Sequence, residues 1–282
     1  MRKALLVLVL CLVSHSLAAQ ERVAICAARN LDAETALWIE QMTERLRPEA
    51  GFDVQPVRIP VVFHMITSGK EGVVKSKNIK TLLSRLNWAF QGTPFSFYLA
   101  GVDRTNKPSW YKDCGPGTAN EKAMKKRLAK DPKRTLNLYS CKPYVPEIES
   151  YVLGYSAFPF ENPEDSYMHG ILLHPAGLPG GTDERFNRYG LAAHEVGHYL
   201  GLFHTFQSGC QGQGDHVADT PAQAAPSNGC PLNADTCPAA GADDVHNFMN
   251  YSDDICSDRF SPGQMERMIE ITGTYRPSLV RW

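Results

Sequence analysis

The sequence has no large excess of charge of either sign and no long apolar run beyond its first residues. Its 29 Lys and Arg side chains nearly balance 30 Asp and Glu side chains, for a formal net charge of −1. This balance excludes the strong basic field of a nucleic-acid-binding protein, so we expect no nucleic-acid partner. No stretch of about 18 apolar residues follows the N-terminal region, which predicts no membrane anchor in the mature protein. What is there, 43% hydrophobic and 21% charged residues, is typical of a globular protein.

Residues 1–19 have the features of a secretory signal peptide. Arg2 and Lys3 precede an apolar run from Ala4 to Val13, and Leu17-Ala18-Ala19 offers small residues for cleavage. The run is too short to span a bilayer as a finished helix, which disfavours the alternative of an uncleaved signal anchor. We therefore predict a secreted, extracellular protein.

The cysteine count fits an oxidising compartment but is odd after processing. The chain has eight cysteines, of which Cys11 lies in the signal peptide, so seven remain. One of them is therefore free or has another use. Six cysteines allow about 15 pairings, and the sequence alone does not choose among them.

The segment 194–204 carries the chemistry, because it matches H-E-x-x-H-x-x-G-x-x-H at all five fixed positions. His194 and His198 are four residues apart, so on a helix they face the same side. Glu195 is next to the first ligand and can reach a water held by the same ion. Gly201 permits the left-handed conformation that ends the helix, and the turn returns His204 as a third nitrogen ligand.

Three neutral imidazoles with one open position suit a catalytic Zn²⁺ ion, whereas a structural zinc site uses four protein ligands. The surrounding residues, Tyr189 to Leu200, have the composition and apolar spacing of a helix. The alternative of a zinc peptidase whose third ligand is a distant Glu is disfavoured by the offsets of Gly201 and His204.

This motif resembles that of the metzincin metallopeptidases. The resemblance includes a Met-turn in Asn247–Asp254, and it implies that Met249 forms a hydrophobic floor beneath the zinc. It also implies that Tyr251 lies beside the metal, where its hydroxyl can donate a hydrogen bond to the oxyanion of the transition state.

Within the metzincins, the chain resembles the pappalysin, or cytophagalysin-like, group. The similarity spans about residues 135–275 and is most specific from 193 to 268, through Gly214-Asp215-His-Val-Ala-Asp219-Thr220-Pro221 and Phe260-Ser-Pro-Gly-Gln264. The resemblance implies an α/β metzincin-type catalytic domain with a twisted mixed N-terminal sheet with helices and a catalytic zinc helix. It also implies an irregular, disulfide-stapled C-terminal subdomain with a Met-turn and a final helix.

The same resemblance implies the pairing of the cysteines. It suggests the disulfides Cys210–Cys237 and Cys230–Cys256, which leaves Cys114–Cys141 as the remaining pair. Cys26 then stands alone in the N-terminal segment. Because a thiolate is a strong zinc ligand that displaces the catalytic water, we predict a cysteine switch in a propeptide; the alternatives are another disulfide or a free thiol.

A calcium site is the second metal site that the resemblance implies. Asp215, Asp219 and Thr220 bring oxygen atoms to one loop, and the carbonyl of Val217 adds another. Calcium prefers six to eight oxygen ligands of this kind. The alternative is that these are solvated loop side chains. The sequon at Asn250-Tyr251-Ser252 is interpreted as unused, because the Met-turn is expected to be buried.

Patterning beyond the motif predicts the main elements. Residues 20–55 show few strand signals and a helix over 31–46, whereas strands are predicted over 57–66, 95–99, 135–139 and 168–174. A helical stripe covers 77–91, and Ser261, Pro262 and Gln264 predict a capping box that opens the last helix. We expect a signal peptide over 1–19, a propeptide over 20–55 and a catalytic domain over 56–282.

The sequence therefore predicts a secreted, monomeric zinc endopeptidase that acts on proteins or peptides and binds one catalytic Zn²⁺, with Ca²⁺ implied by the resemblance. The competing hypothesis is a secreted, non-enzymatic binding protein that retains a zinc fold. Intact His194, Glu195, His198 and His204 argue against it, since a decayed enzyme usually loses its base or a ligand.

Overall fold

The structure, a computed structural model, describes residues 24–48 and 55–280. The predicted signal peptide and the start of the predicted propeptide therefore lie outside the described residues. The α-helices are α1 (Ala33–Leu46), α2 (Ser76–Ala89), α3 (Pro108–Lys112), α4 (Ala119–Leu128), α5 (Gly190–Tyr199), α6 (Pro262–Tyr275) and α7 (Pro277–Val280). The strands are β1 (Ala24–Cys26), β2 (Val57–Thr67), β3 (Phe95–Asn106), β4 (Leu136–Ser140), β5 (Tyr144–Val145), β6 (Ser150–Ser156) and β7 (Ile171–Leu173).

One mixed sheet organises the N-terminal half, as predicted. Its strand order is β1-β6-β7-β4-β2-β3, with β5 attached to β6. Strands β3, β2, β4 and β7 are parallel, whereas β6 runs antiparallel to β7. Ten of the eleven residues of β2 are buried, which explains its nearly continuous apolar sequence.

Helices α2 and α5 pack together and belong to the main hydrophobic core. The predicted stripe of α2 is buried through Ile79, Leu82, Leu83 and Leu86. Every residue of α5 is buried, so this helix crosses the interior of the molecule. None of the described helices is long and apolar enough to cross a membrane.

The region between α5 and α6 contains no helix or strand among its described residues, as the sequence predicted. Two disulfides, Cys210–Cys237 and Cys230–Cys256, connect this region internally, and Cys114–Cys141 joins the segments flanking α4. These are the three pairs that the resemblance implied. Helix α6 begins with the predicted capping box between Ser261 and Gln264.

Several strands differ from the expectations. The N-terminal segment, whose sequence shows few strand signals, contributes the short strand β1, which pairs in parallel with β6; a strand of this length has no periodicity to detect. Strand β6 was not predicted, β3 extends seven residues beyond 99, and only Ile171–Leu173 of the segment 168–174 forms a strand.

Candidate active site

Helix α5 presents the first part of the motif and receives its N-terminal cap from a distant loop. Its own N-cap residue, Tyr189, makes no side-chain capping bond. Instead, the Asp254 carboxylate accepts hydrogen bonds from the backbone N–H groups of Arg188, Tyr189 and Gly190, at 2.7, 2.9 and 3.0 Å. Since these donors have no partner within the helix, Asp254 ties α5 to the loop that follows Met249.

Gly201 produces the turn that brings back the third histidine. Its φ of 104° lies in the region that favours glycine, and a Cβ there would overlap the side chain of Ile271. The backbone N–H of Leu202 donates to the carbonyl of Gly197 at 2.9 Å. The chain therefore reverses within a few residues, and His204 faces the same space as α5.

The three imidazoles converge through their Nε2 atoms. His198 Nε2 lies 3.1 Å from both His194 Nε2 and His204 Nε2. Each Nδ1 faces an oxygen acceptor instead. For His194 and His198 the acceptors are the backbone carbonyls of Phe248 and Leu202, each at 2.7 Å. For His204 it is the side-chain amide oxygen of Asn30, at 2.8 Å.

This pattern fits a metal ion on chemical grounds. A neutral imidazole carries one proton, and acceptors at Nδ1 retain it there, so every Nε2 presents a lone pair. Three buried lone pairs at such short separations repel one another unless a cation lies among them. Burial lowers the pKa of His194 to about 4, which keeps its imidazole neutral.

Cys26 completes this cluster. Its Sγ and one ring nitrogen from each of His194, His198 and His204 all lie within 4.8 Å of one another, the one such group found among the described residues. It is also the free cysteine of the described chain. Strand β1 brings it there, because Cys26 pairs with Gly154 of β6.

Glu195 lies beside the histidines and next to the thiol of Cys26. The side chain is fully buried, and its hydrogen-bonding neighbour within the described residues is the Cys26 thiol. Burial raises the pKa of Glu195 to about 8. Gly154 of β6 provides its space, since a Cβ at that position would overlap the carboxylate.

Met249 lies against α5, and Tyr251 lies beside the histidines. Met249 is fully buried. A Cβ at Gly197 of α5 would overlap its sulfur, so the Met249 side chain is in close contact with the backbone of α5. The Tyr251 ring is 5.5 Å from that of His194 and 5.1 Å from that of His204, between centroids. Its hydroxyl donates to the carbonyl of Cys26 at 3.4 Å.

The amide of Asn250 is also buried and donates to Gln223 Oε1 and Ser227 Oγ, each at 3.0 Å. The side chain is therefore enclosed by protein, which agrees with the interpretation of the sequon as unused.

The four residues of the implied calcium site are only partly brought together. Asp215 Oδ1 accepts hydrogen bonds from Val217 N and Thr220 Oγ1, whereas its buried Oδ2 has no partner among the described residues. Asp219 is engaged elsewhere: its carboxylate accepts from Ser261 Oγ and from the backbone N–H of Gly263.

Two residues that shape the site were not identified from the sequence. Asn30 orients His204 from 174 residues away, and no local pattern could have indicated that contact. Asp254 is the last residue of the Met-turn segment, but its role as a helix cap becomes visible only when this segment meets the start of α5.

The mixed sheet, the inward-facing histidines, the buried carboxylate and the Met-turn beneath them define the metzincin class of zinc metallopeptidases. Comparison with known proteins agrees. Residues 178–272 match the sequence model of the Peptidase M43 family, described as pregnancy-associated plasma protein-A. An extracellular metalloprotease of Arthroderma benhamiae is 39% identical over 218 residues, covering 75% of this chain and 71% of the relative. One from Neurospora crassa is 39% identical over 259 residues, covering 87% of each.

The chain belongs to this family of pappalysin metallopeptidases. It is a secreted metalloendopeptidase, and the hypothesis of a non-enzymatic binding protein is not supported. Solved structures share the fold. A promirolysin variant from Tannerella forsythia has a TM-score of 0.73 at 22% identity, covering 91% of this chain and 97% of its own. Mature mirolysin in complex with a cleaved peptide has a TM-score of 0.68 at 24% identity, covering 80% and 96%.

Proposed function

We propose that His194, His198 and His204 hold the catalytic zinc and that Glu195 is the general base of a peptide-bond hydrolase. The single observation that carries this assignment is the convergence of three Nε2 lone pairs beside a buried carboxylate whose neighbour is the Cys26 thiol. A zinc ion held there lowers the pKa of water and polarises a carbonyl.

The protein side chains supply the proton transfers and the orientation. Glu195 takes a proton from the attacking water and later passes it to the leaving amine. Its burial supports this role, because an elevated pKa makes the carboxylate a stronger base. Tyr251 donates a hydrogen bond to the oxyanion once its hydroxyl is released from the carbonyl of Cys26.

The substrates we propose are extended segments of proteins or peptides. In the structure, the edge of β6 is paired with the extended segment β1, so this edge can bind an extended peptide backbone. When β1 leaves, the same backbone donors and acceptors become available to a substrate strand beside Glu195. We expect the enzyme to act as a monomer, which sedimentation of the processed form would test.

Latency is the second part of the proposal. Cys26 Sγ lies among the three histidines, and the segment that carries it blocks the edge of β6. A thiolate in the open ligand position would exclude the catalytic water. The solved relatives support a removable segment, since promirolysin covers 91% of this chain and mature mirolysin only 80%. We therefore propose residues 20–55 as the propeptide and 56–282 as the catalytic domain.

Calcium remains a prediction, now centred on Asp215. Its free, buried Oδ2 and the carbonyl of Val217 would provide ligands. The pKa of Asp215 is raised to about 7 by burial, and a bound cation would stabilise its charged form. A midpoint of thermal unfolding that does not rise when Ca²⁺ is added to chelator-treated, zinc-reloaded protein would contradict this site.

Replacing Glu195 by Ala tests the assignment of the base. The variant should keep its zinc content and lose peptidase activity by several orders of magnitude, because zinc ligation is intact and proton transfer is not. Metal analysis and peptide hydrolysis by the processed form measure the two properties. Glu184→Ala, at an exposed position, is the matched control. A fully active Glu195→Ala enzyme would refute the assignment.

A further inference from the structure

Arg267 on α6 holds a carboxylate from the N-terminal segment. Its Nη1 and Nη2 atoms donate to Glu40 Oε2 and Oε1 of α1, at 2.9 and 2.7 Å. The Arg267 side chain is only 5% exposed, whereas that of Glu40 is 26% exposed. This paired geometry is the one in which arginine recognises a carboxylate most strongly. No other acidic side chain of the described chain forms an ion pair with Arg267.

The same guanidinium also contacts the turn that carries the third histidine. Its Nε donates to the carbonyl of Gly201 at 3.2 Å, and its central carbon lies 4.7 Å from the centre of the Phe203 ring. Phe203 immediately precedes His204, and Gly201 lies three positions before it. Arg267 therefore connects α1 to the turn between α5 and His204.

Two further contacts link the N-terminal segment to that turn. His204 Nδ1 donates to Asn30 Oδ1 at 2.8 Å, and the Gln207 side chain donates to the carbonyl of Leu31. Farther along α6, Thr43 and Tyr275 hydroxyls lie 3.2 Å apart. The segment is thus anchored at a place distinct from the pairing of β1 with β6.

Removing Glu40 would leave a nearly buried guanidinium without its directly paired carboxylate, and Asp215, which interacts with Arg267 without forming an ion pair, would not replace those two hydrogen bonds. We propose that Arg267 is a carboxylate-binding exosite whose ligand is Glu40 of α1, and that it retains the N-terminal segment on the enzyme even after the chain is cut between α1 and β2. This inference rests on the proposed latency. It makes activation a two-step process, in which cleavage comes first and dissociation of the cleaved segment follows.

The test uses the full chain with Cys26→Ser, so that no thiol contributes to retention. The zinc-loaded protein is cut between α1 and β2, and dissociation of the segment is followed by gel filtration at a series of concentrations. Glu40→Gln should weaken retention by about tenfold or more, because a neutral amide cannot replace a carboxylate facing an almost buried arginine. Glu44→Gln, exposed on the same helix, should behave as the parent.

The same substitution in a second parent variant, Arg267→Gln, distinguishes loss of the Glu40–Arg267 contact from a nonspecific weakening of the packing of the segment. In Arg267→Gln protein, the additional change Glu40→Gln should have no further effect on retention, since the partner is already absent. Thermal unfolding of the uncut variants shows whether each one is folded. Retention that Glu40→Gln leaves unchanged, or weakens equally with and without Arg267, overturns the exosite.

Peptidase activity measured on the same fractions distinguishes this proposal from the proposed function. A segment that dissociates as expected from an enzyme that stays inactive would refute the assignment of latency, while the exosite would stand. An enzyme that becomes active upon cutting alone, with no dependence on Glu40, would refute the exosite and leave the proposed function intact.

Discussion

Single residues at this site fall into two groups, those that do the chemistry and those that orient them. The roles proposed for His194, Glu195, His198 and His204 could be predicted from spacing alone, because a helix followed by a glycine turn converts that spacing into a common direction. Asn30 fixes the orientation of His204 just as directly. It could not be predicted, since its contact spans most of the chain and depends on where α1 packs.

The residue-scale prediction concerns Cys26. In the full chain, Cys26→Ser should hydrolyse a peptide substrate before any processing, while its parent stays silent, because a hydroxyl is a much weaker zinc ligand than a thiolate. Activity should rise only partially, since the strand β1 and the Arg267 contact still hold the segment in place. Hydrolysis is measured together with zinc content.

Thiol titration provides the control for that experiment. The unfolded parent, after removal of the signal peptide, should contain one reactive thiol, and the Cys26→Ser variant none, because the other six cysteines are paired. A Cys26 found in a disulfide, or a variant as silent as its parent, would exclude the cysteine switch.

At the scale of elements, long periodic segments were predicted well and short strands were not. The helices α1, α2, α5 and α6 lie within a few residues of their predicted bounds, because each has an apolar stripe or a cap in its own sequence. Strands β1 and β6 were missed because they are defined by backbone pairing with distant segments, β1 with β6 and β6 with β7 and β5, and not by local alternation of side chains.

The element-scale prediction concerns the cap of α5. Asp254→Ala removes the acceptor for three backbone N–H groups at the start of the zinc helix. The free energy of unfolding should fall by about 2 kcal/mol, a value at the upper end for loss of a helix cap. Zinc affinity should fall as well, because the helix presents two of the ligands. Denaturant unfolding and competition with a zinc chelator measure these effects.

Asp253→Ala is the matched control, since it removes the same charge from the neighbouring position without removing an acceptor of these bonds. Equal effects of the two variants would show that charge, not capping, is responsible.

At the scale of the whole molecule, two different principles hold the two halves together. The N-terminal half is organised by a sheet buried between helices, whereas the chain between α5 and α6 has no regular element and depends on disulfides, turns and side-chain hydrogen bonds. An irregular region of this kind gains stability from covalent links, because the links restrict the unfolded chain.

The whole-molecule prediction concerns those links. Replacing both cysteines of Cys230–Cys256 by Ala should lower the free energy of unfolding by about 3.5 kcal/mol, the amount that the chain-entropy argument gives for a loop of this size. Limited proteolysis should then cut first between residues 205 and 260. The corresponding loss of Cys114–Cys141 should leave that region as resistant as in the parent, and equal susceptibility in the two variants would contradict a local role.

The sequence by itself determined the chemistry: a signal for export, three histidines and a glutamate at helical spacing, a Met-turn, and the capped last helix. These features are local, so each follows from the geometry of a few adjacent residues. Only the tertiary structure decided that Asn30 meets His204, that Glu40 meets Arg267 and that Asp254 caps the helix α5. Such contacts arise from the packing of elements distant in the chain, and no local pattern in either partner records the other.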